Sequence, residues 1–178
     1  METTSVFKEV LTTYWAQTVL ILGGIGFLVK HGMDIKSKRK EINHFKFLEH
    51  RMNGLNAFFL SYGQLERLWD TLPIYPILNN EFKVYEVDGM IVPSINSLKS
   101  STYALMLYLD KENYKKVDEI LQNMMKIHSK LGDIYLSDGT KTLSQKASEY
   151  HLIKISIGKK NASLLEEICD TIQKDYKA

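Results

Sequence analysis

Residues 10–29 read VLTTYWAQTVLILGGIGFLV, about 20 residues without a charge, set between Glu9 and Lys30. At 1.5 Å of rise per residue this stretch makes a helix about 30 Å long, the thickness of a bilayer's hydrocarbon core. Tyr14 and Trp15 lie toward one end, where amphipathic rings favour the membrane interface. A cleaved secretory signal has a positive leader, a shorter apolar run and a small-residue cleavage site. Here the leader carries Glu2, Lys8 and Glu9, and the run passes straight into Lys30-His31-Gly32. The stretch therefore predicts an uncleaved membrane anchor over residues 1–32. A buried helix of a soluble protein is the rival reading.

The charges on either side predict an orientation. Lys30, Lys36, Lys38, Arg39, Lys40 and Lys46 follow the segment, and only Lys8 precedes it. Positive flanks stay on the cytoplasmic side, so residues 33–178 are expected there and the N-terminus outside. The chain is expected to cross its membrane once.

Within the segment the faces differ. Projected at 100° per residue, Thr12, Thr13, Ala16, Gln17, Leu20, Gly23, Gly24 and Phe27 share one arc, and bulkier side chains fill the other. Small residues permit close contact between helices. A polar group such as Gln17 at membrane depth faces a partner or a watery cavity. Helix packing and a shared lumen both account for the arc.

The rest of the chain reads as helix. Ile35, Ile42, Phe45, Leu48, Met52, Leu55, Phe59, Tyr62, Leu65 and Trp69 form a helical stripe over residues 33–70. Pro73 and Pro76 mark residues 71–80 as a connection. A short helix is expected over 80–90, then one opening at Pro93 and running to about 110. Residues 112–136 are strongly periodic, and Asp138-Gly139 is expected to end that helix. A helix over about 141–157 should break at Gly158, and the Ser163-Leu-Leu-Glu166 capping pattern should open a last helix to about 176. The fold class is all-α: one membrane helix followed by a bundle of four or five helices.

Composition excludes several chemistries. The 178 residues carry a net charge of only +2, so charge alone does not imply nucleic acid. The single cysteine, Cys169, rules out an intrachain disulfide and a cysteine-type zinc site. No two of His31, His44, His50, His128 and His151 stand three or four residues apart, so no helical pair of metal ligands forms. There is no phosphate-binding glycine loop, no metalloprotease motif and no nucleophile elbow. Neither a metal nor a cofactor is expected. His128 reads as a core histidine, His151 as a surface one, and Cys169 as a small buried hydrophobe.

One constellation remains. Arg39-Lys-Glu-Ile-Asn-His44 has the R-x4-H form found in RNases of the HEPN class. There an arginine steadies phosphorane charge while a histidine moves the 2′-hydroxyl proton. On one continuous helix, however, positions five apart point about 140° from each other. The pattern is also explained as part of a basic juxtamembrane stretch.

Taken together, YWAQTVLILGGIGFLVKHG, the basic neck with RKEINH and the helical remainder resemble the small membrane accessory proteins encoded beside the RNA-guided RNase of type VI-B CRISPR systems. The resemblance covers the full chain. It implies a degenerate HEPN-like helical domain without nuclease activity and a ring-shaped homo-oligomeric pore, an octamer in our reading, held in membrane lipids. It also implies a functional link to the RNase effector. The pore would depolarise the membrane once the effector recognises phage RNA, with no stable nucleic acid partner. A ring of eight helices about 10 Å apart leaves an opening of roughly 8 Å radius. Thr13, Gln17, Leu20, Gly24 and Phe27 are the expected lining. Two alternatives stand beside this: a membrane-tethered RNase using Arg39 and His44, and a non-catalytic tether for a partner.

Overall fold

The computed structural model of the chain describes the backbone of residues 3–137 and 141–177, and side chains at residues 6, 8, 14, 15, 19, 24–137 and 141–174. It consists of α1 (Thr3–Thr71), α2 (Ile74–Leu78), α3 (Val84–Leu105), α4 (Lys111–Tyr135) and α5 (Leu143–Lys177). No strand occurs among the described residues, as an all-α reading requires. The chain divides into two compact units, Met1–Leu48 and Glu49–Ala178.

In the second unit, the end of α1 supplies one wall of the core. Arg51, Leu55, Phe58, Tyr62, Leu65, Trp69 and, just past the helix, Leu72 are buried. Their spacing alternates four and three, which keeps one narrow face inward over about six turns. The expected stripe was one residue out of register at two places: Met52 is exposed and Phe59 half-buried. Arg51 and Phe58 take the inward positions. A cation seven residues before a phenylalanine hides the repeat from a count of apolar residues.

The expected boundary at Pro93 is corrected. α3 begins at Val84, where Glu86 accepts a 2.7 Å hydrogen bond from the Lys83 backbone N–H. Pro93 lies well inside the helix. It deprives the Gly89 carbonyl of its usual donor, but Gly89 is exposed, so water can take that place. The proline connection before it also holds a short helix, α2, whose Ile74, Ile77 and Leu78 are buried.

α4 matches expectation at its start. Asp110 caps it by accepting from the Asn113 backbone N–H at 2.9 Å, a bond that holds the Asp110 carboxyl below its ordinary range. Val117, Ile120, Leu121, Met124, Ile127, Leu131 and Ile134 face the core. The expected stop at Asp138-Gly139 lies outside the described residues.

The expected break at Gly158 does not occur. α5 runs through it, and Ser163 sits inside the helix as an exposed residue rather than at a cap. Ala147, Tyr150, Ile157, Asn161 and Ile168 are buried along one face on both sides of the glycine. α5 packs along α4, and that burial outweighs the cost of about 1 kcal/mol for a glycine in mid-helix. Asn161 is tolerated there because its amide oxygen accepts from Asn123 of α4 at 2.8 Å.

Among the described residues, no helix is long and apolar enough to cross a membrane. The side chains at 10–13, 16–18 and 20–23, which form most of the expected span, lie outside the described residues.

Candidate functional site

Among the described residues of the first unit none is buried. From Gly24 to Phe47 every residue is exposed. Ile25, Phe27, Leu28 and Val29 are 54%, 67%, 68% and 57% exposed. Side chains of this size gain about 1.5–3 kcal/mol each on leaving water, so a consecutive apolar surface of this kind marks an interaction site.

Of the five residues expected to line a lumen, Thr13, Gln17 and Leu20 have side chains outside the described residues. Gly24 and Phe27 are described, and both are exposed. Three residues apart on a helix, they lie about 60° from each other, on one arc as expected. The Phe27 ring stacks on His31 one turn later, at 5.9 Å between centroids and 4° between planes. A Cβ placed on Gly24 would meet nothing within 4 Å.

The neck that follows is charged on two sides. At 100° per residue, Lys36, Arg39, Lys40 and Lys46 fall within an arc of about 120°, and Asp34 and Glu41 lie roughly opposite. All six are exposed. A count of these cations does not give their side; the helical projection does.

Arg39 and His44 both lie inside α1, with no helix start between them. Their side chains therefore point about 140° apart, into solvent in each case. Among the described residues no cleft is brought to both.

Two concave regions of the second unit are lined by described residues. One, of about 360 Å3, lies between α3 and α4, and at its rim His128 Nε2 meets Asp88 Oδ1 at 3.0 Å. His128 is only partly buried; its ring rests 6.5 Å from that of Trp69. The other is a groove of about 520 Å3 lined by Tyr62, Glu66, Trp69, Asp70 and Lys154, among others. There the Tyr62 hydroxyl donates to Glu66 at 3.1 Å, and Lys154 donates to Asp70 at 2.6 Å. Burial first, then the Glu66 charge, pushes the Tyr62 phenol up to about 12. Neither region presents an activated nucleophile beside a base. His151 is exposed as expected, and Cys169 is a half-buried free thiol. Among the described residues, no group of three or more metal-ligating side chains is close enough to hold an ion.

Comparison with protein-family models, with curated proteins and with solved structures gives no match.

Proposed function

We propose that the chain is a membrane-anchored, homo-oligomeric pore protein that strengthens RNA-guided antiviral defence by depolarising the bacterial inner membrane. The observation that carries this reading is the uncovered surface of the first unit. Ile25, Phe27, Leu28 and Val29 stand exposed beside Gly24, in a stretch where every residue from Gly24 to Phe47 is exposed. Lipid can cover Ile25, Leu28 and Val29, and neighbouring copies can close on the arc that carries Gly24 and Phe27. A single helix encloses no channel, so conduction requires several copies. The excess of Lys and Arg after the segment supports a cytoplasmic second unit, the side on which an RNA-guided RNase would meet it.

The test is dye release from vesicles carrying the purified full chain, with and without the activated effector. Release is expected, and Gln17→Leu should change it while expression stays intact. Absence of leakage from inserted protein under both conditions would overturn the pore. Exchange of residues 1–30 for an unrelated anchor separates this reading from a passive tether: the pore loses function and the tether keeps it.

A further inference from the structure

We infer that the neck of α1 is a binding face for anionic phospholipid headgroups, built on Lys36, Arg39 and Lys40. This rests on the anchor reading of residues 10–29. Three observations carry it. Lys36, Arg39 and Lys40 are exposed on one arc without an acid, whereas Lys30 and Lys38 share the opposite side with Asp34 and Glu41. The helix thus has one side with positive charge alone. Apolar Ile35, about 9 Å beyond Val29, lies at the edge of that arc and is exposed. Such a mixture suits the headgroup boundary of a bilayer, where alkyl groups find partial burial.

Within the acid-free arc, distance selects the residues. With α1 along the bilayer normal and Val29 at the hydrocarbon edge, Lys36 lies about 10 Å further on, Arg39 about 15 Å and Lys40 about 16 Å. The headgroup layer is roughly 5–7 Å deep on each side. The surface potential beyond it decays over about 8–10 Å at physiological salt. Those three cations lie within that range, and their long stems let the charge reach back toward it. Lys46, about 25 Å from Val29, lies outside it. The neck would then act as a ruler, drawing on its near cations and ignoring the far one. An RNA strand would also see phosphate charge, but it would use Lys46 equally and would not need the apolar anchor beside it.

Native mass spectrometry of the detergent-purified full chain decides between these. The probes are phosphatidylglycerol and phosphatidylcholine of matched acyl chains, added separately. A preference for phosphatidylglycerol of at least about tenfold is expected, since each near cation contributes about fivefold. The combined variant Lys36→Gln, Arg39→Gln, Lys40→Gln should lose it, with helicity unchanged by circular dichroism. Lys46→Gln should keep it. Equal binding of the two lipids, or retention of the preference in the triple variant, would overturn the inference. So would displacement of the lipid by soluble glycerol phosphate, which would make the ligand a free phosphate. Displacement by a single-stranded RNA oligonucleotide at equal phosphate would assign the face to RNA and overturn it as well. Retention of the wild-type chain in phosphatidylcholine vesicles through an alkaline carbonate wash reads the anchor separately. Release there would sink the anchor and leave the lipid preference to its own measurement.

Discussion

The Tyr150 hydroxyl donates to the Trp69 carbonyl oxygen at 3.1 Å and closes the C-terminal end of α1. The last carbonyls of a helix lack intrahelical donors. Trp69 would ordinarily receive the N–H of the residue four positions later, which here is Pro73 and has none. A tyrosine 81 residues away supplies the missing hydrogen. Tyr150 is 1% exposed, so water cannot substitute.

Tyr150→Phe therefore leaves a buried carbonyl unpaired while keeping the ring. A loss of about 1–3 kcal/mol is expected in urea unfolding of the full chain. Tyr150→Leu should cost more, because it removes ring contacts as well. A Tyr150→Phe protein as stable as wild type would mean that the Trp69 carbonyl finds another donor.

Alkaline pH should weaken the second unit through Tyr62. Its phenol titrates near 10 in an unfolded chain and is pushed up to about 12 in the folded one. The folded state thus holds the proton more tightly. The stability this gives is complete below pH 10 and drains as pH rises from 10 through 12, by about 3 kcal/mol in all. Tyr150 shifts in the same direction, from burial and then from Asp70, and adds to the loss. In Tyr62→Phe the decline should be shallower, while stability at pH 7 changes by less than about 1 kcal/mol. Parallel declines in the two proteins would place the alkaline transition elsewhere.

Helix content and the span of α1 were legible because their signals are local: long periodic runs, few prolines and few glycines. The breaks were misread for the same reason. Gly158 and Pro93 are punctuation marks when the neighbours are unknown. In the folded chain, Ile157 and Asn161 hold α5 against α4 on either side of Gly158. Arg51 and Asn161 are buried polar residues that complete apolar repeats, so a count of hydrophobic residues skipped them. At the candidate site, the exposure of the neck could be guessed from its charge. The divergence of Arg39 from His44 followed from their spacing as soon as one helix was assumed. Tyr150 and Trp69 lie too far apart in the chain for any local pattern to join them.

Two glycines of α1 should respond oppositely to alanine. Gly63 has nothing within 4 Å of an added Cβ, so Gly63→Ala gains helix propensity, about 1 kcal/mol of stability. At Gly54 the new Cβ would stand 2.9 Å from Leu105 Cδ2, and Leu105 is fully buried. α3 must then shift or Leu105 must leave its rotamer, at about 1–3 kcal/mol. Gly54→Ala should therefore be neutral or destabilising. Thermal or urea unfolding of both variants reads the contrast, and equal stabilisation by the two would show that α1 and α3 are less tightly packed at Leu105 than the 2.9 Å approach requires.

Gly24 separates what one chain needs from what an assembly needs. Within a single copy its Cβ position is open, so Gly24→Ala offers the isolated helix about 1 kcal/mol and no clash. Any penalty must come from outside the copy. If neighbouring helices close on the arc of Gly24 and Phe27, an added methyl separates backbones that small residues had let approach. Gly24→Leu exaggerates the same effect. The expected result is a purified protein of unchanged or higher helicity whose particle size shifts to smaller species, by light scattering in detergent, in the order Gly, Ala, Leu. Vesicle leakage should fall in that order too. Unaltered assembly in Gly24→Leu would show that copies meet on some other face of the helix, and leakage that persisted with it would move the lumen away from this arc.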